Sequence, residues 1–124
     1  AADCGADAVV ISNHGGRVLD SAPVPILTLP KVVDAVGKRI TVIVDSGFNR
    51  GAHVVKALAL GANAVMLGRA PLHGVAAAGE AGALRALQIY RDEIDRVLAL
   101  TGCTRLEQLT REHVDLSQVA LTAV

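Results

Sequence analysis

The sequence has no net charge and no long apolar run, and each absence narrows the possible functions. Its 12 acidic and 12 basic residues cancel, and like charges form no block. Neither nucleic acid nor an anionic membrane surface is therefore indicated as a partner. Glycines and charged residues interrupt the apolar positions every few residues, so no run approaches the length that spans a bilayer. No stretch has the pattern of a signal peptide.

Cysteine is also scarce. Cys4 and Cys103 lie far apart and have neither CxxC nor metal-ligand spacing, so we expect no metal site. Both are expected to be reduced thiols that act as small buried hydrophobic residues in a cytoplasmic protein. The chain is nevertheless rich in apolar residues: 52% of its 124 residues are hydrophobic, enough for the core of a small domain.

A short apolar run, Ala8–Ile11, is followed at once by a polar, glycine-containing stretch. The run predicts a strand buried on both faces, and ligands bind at the carboxyl ends of such strands in α/β folds. In the polar stretch, His14 can exchange a proton near neutral pH, and Arg17 matches a carboxylate. Gly15 and Gly16 allow the backbone to approach a flat ligand closely. These residues indicate chemistry on a small carboxylic acid; the alternative is a turn with a solvated histidine and arginine.

The arrangement of strand, loop and helix then recurs. Apolar residues have helical spacing over residues 26–36, and the helix proper is predicted to start at Pro30, with this proline in its first turn. A strand is predicted over residues 40–44. A second helix over about residues 52–60 and a third strand over residues 64–67 follow. Three such units, of about thirty residues each, predict a parallel sheet with right-handed crossovers.

Polar residues follow each predicted strand and should therefore lie on one rim of the sheet. They include His14, Arg17, Asp45, Arg50 and Arg69. A (β/α)₈ barrel builds its site in this way, but needs about 250 residues. We therefore predict an α/β fold in which residues 1–124 form the C-terminal part of a TIM barrel, about three βα units, without its N-terminal strands.

Two of the loops have the chemistry of a phosphate site. Asp45, Ser46 and Gly47 form a tight turn with a hydroxyl and free backbone N–H groups, and Gly68 with Arg69 forms another with a guanidinium. Barrels commonly hold a phosphate after their last two strands. The pairing of these turns one unit apart predicts a phosphate-binding site.

Helical segments follow the three units. A long amphipathic helix is expected over about residues 80–100, ended by Gly102. Its predicted apolar stripe consists of Leu84, Leu87, Ile94, Val97 and Leu98. Two ion pairs are expected on its exposed face, Arg91 with Asp95 and Asp92 with Arg96. A short helical pattern follows in the tail, carried by Leu106, Leu109, Val114 and Leu116.

Four motifs together resemble the FMN-dependent 2-hydroxy acid dehydrogenase and oxidase family, nearest to the L-lactate and (S)-mandelate dehydrogenases. They are the SNHGGR stretch at residues 12–17, DSGF at residues 45–48, LALGA at residues 58–62 and LGR at residues 67–69. The motifs follow the family order over nearly the whole chain. The first of them is highly specific to this family.

The resemblance implies a role for each matching residue. His14 matches the catalytic base, which also contacts the substrate, and Arg17 matches the arginine that pairs with the substrate carboxylate. The remaining matches imply FMN binding, by Ser12, Asp45, Ser46, Gly47, Phe48, Asn49, Arg50, Gly68 and Arg69. One departure occurs: Asn49 stands where the family usually has arginine, and the nearest positive charge follows at Arg50.

The implied activity is FMN-dependent oxidation of an L-2-hydroxy acid of the lactate or mandelate type to the 2-oxo acid. The implied partners are that acid and an electron acceptor, which is oxygen, a quinone or a cytochrome. A homo-oligomer, typically a tetramer, is implied too, as is peripheral association with the inner membrane through a segment outside this sequence.

Two alternatives remain open. One is a different FMN-binding or phosphate-binding barrel, and the other is an inactive remnant that acts only as a structural or binding fragment. Whichever interpretation is right, the 124-residue chain alone is expected to be inactive.

Overall fold

The computed structural model describes residues 1–116, so residues 117–124 of the predicted span lie outside the described part. Three parallel strands form one sheet, in which the second strand of the sequence lies between the first and the third. The strands are β1 (Ala8–Ile11), β2 (Thr41–Val44) and β3 (Ala64–Val65). The helices are α1 (Pro25–Val36), α2 (Gly51–Ala59) and α3 (Arg69–Leu100). The predicted parallel α/β arrangement is thus confirmed.

The core lies on one face of the sheet. Val42 and Val44 of β2 are fully buried against Leu29 of α1 and against Ala57 and Leu60 in and after α2. Alternate residues of a strand point to opposite faces, and the two helices cover the face of Val42 and Val44.

The opposite face of the sheet is open in the described residues. Val10 is 48% exposed and Met66 50% exposed, whereas β1 was predicted to be buried on both faces. That prediction is wrong for this chain because α1 and α2 pack on one face only. A patch of apolar surface therefore lines the side of the sheet that faces away from the helices.

Helix α1 and strand β3 differ from their predicted boundaries. Helix α1 begins at Pro25, not near Pro30, because the ring of Pro25 presets a helical φ in the first turn, where no N–H partner is needed. Pro30 lies inside the helix. Strand β3 is shorter than predicted, although the Met66 N–H still donates to the Val44 carbonyl at 2.9 Å.

Helix α3 begins earlier than predicted and is kinked. Its first segment starts at Arg69, and the regular dihedrals fail at Ala78 and Gly79, where φ of Gly79 is 56°. The two segments touch at Gly74 and Gly82, where a Cβ on Gly82 would overlap the Gly74 carbonyl oxygen. The backbones of the two segments are therefore in direct contact, and this contact requires glycine at both positions.

The second segment of α3 matches the predicted helix over residues 80–100, but its surface differs. Leu98 is buried, whereas Leu84 and Leu87 are 57% and 49% exposed, so the apolar stripe is covered only toward its end. Neither predicted ion pair on this helix forms among the described residues. Glu93 of the same helix instead pairs with Arg50.

The remaining segments are short turns. A 3₁₀ turn at Ala2–Cys4 ends at Gly5 before β1, and the tail forms 3₁₀ turns at Leu106–Gln108 and Arg111–His113. Cys103 is buried as predicted, and its Sγ lies 3.4 Å from His113 Nε2. Cys4 is exposed, contrary to prediction, because the turn that carries it buries none of its residues.

No helix within residues 1–116 combines the length and the apolar character needed to cross a membrane.

Candidate active site

Ser12 and Asp45, which follow β1 and β2, tie the first two loops together. Ser12 Oγ donates to Asp45 Oδ2 at 2.6 Å, and Ser46 Oγ donates to the same oxygen at 3.0 Å. Parallel pairing continues to this point, since the Asp45 N–H donates to the Ile11 carbonyl at 2.8 Å. The pairing of β1 with β2 thus brings the two loops into register at the rim.

Asp45 is held as a carboxylate. Burial by itself raises its pKa, but the hydrogen bonds from Ser12 and Ser46 outweigh burial. The net pKa of Asp45 is therefore below its usual value. Its negative charge fixes both hydroxyls as donors, which leaves Ser46 Oγ free to accept from the Gly15 N–H at 3.0 Å.

The loop after β1 has a conformation that few sequences allow. His14, Gly15 and Gly16 all have positive φ, at 56°, 68° and 74°. Such a conformation is costly for histidine, so the surrounding hydrogen bonds must maintain it. The His14 N–H donates to Ser12 Oγ, and the Gly15 N–H donates to Asn13 Oδ1, each at 3.0 Å. The loop therefore presents His14 at a fixed position on the rim.

His14 and Arg17 lie side by side, with His14 Nε2 3.3 Å from Arg17 Nη2. A guanidinium has only donors, so this hydrogen bond requires an unprotonated Nε2. Both side chains are exposed. A proton acceptor and a cationic fork are thus available next to each other.

A cavity of about 430 Å³ lies over these loops. Its lining includes most of the predicted site residues, namely His14, Arg17, Asp45, Ser46, Gly47, Phe48, Asn49, Gly68 and Arg69. Ser12 supports this lining through Asp45 and Ser46. The Arg69 guanidinium lies next to Gly15, where a Cβ would come within 3.1 Å of Arg69 Nη2.

Arg50 does not line this cavity. Its Nη2 lies 2.6 Å from Glu93 Oε1, and its Nε donates to the same oxygen at 2.7 Å. The neighbouring Asn49 does line the cavity. Successive side chains on the loop thus point to different sides, and Arg50 does not take the place that Asn49 occupies.

Sequence reasoning missed Met66 and Glu93. Met66 lines the cavity, and its spacing of two from Ala64 could have placed it on the open face of the sheet. Glu93 receives hydrogen bonds from the loop after β2, although 42 residues separate it from Gly51. No local pattern signals a contact over that separation.

The fold and the cavity define a class of protein: an α/β unit of parallel strands with a cavity at their carboxyl ends, where α/β barrels have their sites. Residues 1–116 match the family model described as FMN-dependent dehydrogenase, and the chain belongs to this family. The resemblance seen in the sequence is thereby confirmed, and the family depends on FMN.

Individual relatives are also similar in sequence or structure to this chain. The chain is 49% identical to (S)-mandelate dehydrogenase of Pseudomonas putida, a match that covers 96% of this chain and 30% of the relative. It is also 49% identical to L-lactate oxidase of Roseobacter sp. (strain GAI101), over 87% of this chain and 29% of the relative. The structure of a flavocytochrome b2 mutant with pyruvate bound matches with a TM-score of 0.90 at 38% identity, over 99% of this chain and 32% of that structure.

The chain therefore spans about 30% of the length of the relatives that it matches. The structural match confirms the predicted fold, three βα units of a TIM barrel followed by helical segments.

The cavity residues fit the phosphate end of FMN. Arg69 supplies a guanidinium, and Gly68 stands at the amino end of α3, where free N–H groups favour an anion. A Cβ on Gly68 would meet no atom within 4 Å, so no contact in the described chain requires glycine at this position. Gly47 also faces open space, but its φ of 89° by itself favours glycine. Bare backbone facing an open cavity is what close approach of a ligand requires.

Proposed function

We propose that the protein containing this chain binds FMN and oxidises an L-2-hydroxy acid to the 2-oxo acid. His14 is the base, and Arg17 binds the substrate carboxylate. The observation that carries the proposal is the contact of 3.3 Å between His14 Nε2 and Arg17 Nη2 at the rim of the cavity. Family membership and the relatives that act on mandelate and lactate by name support it.

His14 is suited to the role of base by its hydrogen bonds. Arg17 donates to Nε2, which must therefore keep a lone pair. In the proposed reaction, this lone pair takes one proton from the substrate. Bound FMN would supply the oxidant by accepting two electrons. In one route, His14 takes the hydroxyl proton and the α-carbon hydride would pass to FMN. In the other, His14 takes the α-carbon proton, the two electrons would pass to FMN and the hydroxyl proton is released; His14 acts as the base in both routes.

Arg17 is suited to hold the carboxylate because its guanidinium is exposed next to the base and has no carboxylate partner among residues 1–116. A bidentate pair would fix the orientation of the substrate relative to Nε2. The proposed substrate is thus a small acid with its hydroxyl next to the carboxylate, of the lactate or mandelate type.

The loop residues Asp45, Ser46 and Gly47 would hold the ribityl chain and phosphate of FMN, with Gly68 and Arg69 on the other side of the phosphate. These residues line one cavity, which supports the assignment. Oxygen, a quinone and a cytochrome remain the proposed electron acceptors. The predicted homo-oligomer and the predicted cytoplasmic location stay predictions.

The proposal is tested with the full-length protein carrying His14→Ala or Arg17→Lys. His14→Ala should retain FMN and lower turnover of lactate or mandelate by about 10² to 10⁴, the usual contribution of a positioned base. Arg17→Lys should raise the Michaelis constant, because an ammonium cannot form the bidentate contact.

His73→Ala is the matched control, since His73 does not line this cavity. Normal turnover by His14→Ala would refute its role as the base. A wild-type protein that binds no FMN would refute the proposal as a whole.

A further inference from the structure

The loop between β2 and α2 is held from outside the cavity by helix α3. Tyr90 Oη donates to the Phe48 carbonyl at 2.7 Å, and the Gly51 N–H donates to Glu93 Oε2 at 2.6 Å. Arg50 Nε donates to the other oxygen of Glu93 at 2.7 Å. Three of the four consecutive residues 48–51 are therefore bonded to two side chains of α3.

At this contact, the backbones of the loop and of α3 are too close to slide past each other. A Cβ on Gly51 would lie 2.6 Å from Glu93 Cβ and 2.7 Å from the Tyr90 carbonyl oxygen. Gly51 is itself buried and begins α2. The end of the loop can therefore not move without moving α3.

The two anchoring side chains are shielded from solvent. The side chain of Glu93 is 14% exposed, and Tyr90 is 6% exposed. Both carboxylate oxygens of Glu93 are used, by Arg50 and by the Gly51 N–H. The Arg50 side chain is 67% exposed, so solvent weakens the ion pair, and the shielded bond to the Gly51 N–H is the firmer of the two contacts. The hydrogen bond from Arg50 lowers the pKa of Glu93, which keeps the carboxylate charged at neutral pH.

The same loop faces the cavity with its other side. Ser46, Gly47 and Asn49 line the cavity, whereas Arg50 points toward α3. We propose that Glu93, with Tyr90, is a positioning residue for the FMN-binding loop, and that Arg50 holds the Glu93 carboxylate and makes no contact with FMN. This inference rests on the proposed function, because it assigns the loop to the flavin.

The test is titration of the full-length apoprotein with FMN, in which the quenching of flavin fluorescence reports binding. Glu93→Ala should weaken FMN binding by about tenfold, as the loss of charge-assisted hydrogen bonds on a binding loop predicts. Arg50→Ala should weaken it less. The double variant should match Glu93→Ala within about twofold, since both residues act through one contact.

Two controls separate positioning from general stability and from charge. Leu98→Ala removes a buried side chain of the same helix, and should lower the melting temperature while FMN affinity stays within about twofold. Asp92→Asn removes the neighbouring exposed charge and should change neither quantity. If Glu93→Ala does not fold, the inference is tested with Glu93→Gln and Tyr90→Phe. Each of these variants should weaken FMN binding by about threefold.

Unchanged FMN affinity in the Glu93 and Tyr90 variants would overturn the inference while leaving the proposed function intact. An equal loss of affinity in Leu98→Ala would overturn it as well, because global stability would then explain the effect. A further loss of about tenfold on adding Arg50→Ala to Glu93→Ala would show direct contact of Arg50 with FMN. A wild-type protein without FMN affinity would refute the proposed function and this inference together.

Discussion

Ser46 allows backbone strain and hydrogen bonding to be separated by experiment. Its φ of 78° lies in the left-handed region, which is costly for a residue with a Cβ. Its hydroxyl nevertheless donates to Asp45 and accepts from the Gly15 N–H, each at 3.0 Å. Replacement by glycine removes both effects, and replacement by alanine removes only the hydrogen bonds.

The two effects have opposite signs. The bond to the Asp45 carboxylate contributes about 1.5 kcal/mol and the bond from Gly15 about 0.5 kcal/mol, at the low ends of their ranges because the site is partly solvated. The left-handed conformation costs about 1 kcal/mol. Ser46→Ala should therefore destabilise the protein by about 2 kcal/mol, and Ser46→Gly by about 1 kcal/mol.

Urea unfolding of the full-length apoprotein gives both free energies of unfolding directly. The expected order of stability is wild type, then Ser46→Gly, then Ser46→Ala. If the alanine variant were as stable as the glycine variant, the argument from left-handed strain would be refuted. If Ser46→Gly were more stable than wild type, the hydroxyl would contribute less than the strain costs.

Three further predictions concern other parts of the chain. Asn49→Arg should tighten FMN binding by about tenfold, because it adds a charge-assisted contact on the cavity side of the loop; equal affinity in a titration would show that another group already binds the phosphate. Gly82→Ala should lower the free energy of unfolding by more than about 2 kcal/mol, because its Cβ would overlap the Gly74 carbonyl; an unchanged urea midpoint would contradict that backbone contact. The 124-residue chain alone should aggregate or stay molten, because the sheet face that carries Val10 is open; a purified monomer that binds FMN stoichiometrically and reduces it on addition of lactate would contradict this.

Local sequence signals predicted the elements of the fold well. The runs at Ala8–Ile11 and Thr41–Val44, rich in β-branched residues, form the expected strands, because such side chains fit a pleated surface that is at least half buried. The first segment of α3 escaped prediction because Pro71 and Gly74 resemble a loop. Proline is tolerated in a first helical turn, however, and Gly74 is required by the contact with Gly82.

The sequence predicted those residues of the candidate site whose positions follow from the ends of the strands. His14, Arg17 and Arg69 line one cavity because parallel strands carry their loops to one rim. The side to which Arg50 points could not be predicted, since it depends on Glu93, a residue 43 positions away on another helix. Sequence spacing reports neighbours within an element but not contacts between elements.

Met66 is the only methionine in the chain, is half exposed and lines the cavity. A thioether oxidises to a sulfoxide at a rate that follows its exposure to the oxidant. A brief treatment with peroxide, followed by mass spectrometry of the peptide that contains Met66, would therefore report the addition of one oxygen at a known position in the cavity. The natural sequence thus contains a chemical reporter in the cavity, and protection of Met66 from oxidation would measure how fully a ligand fills that space.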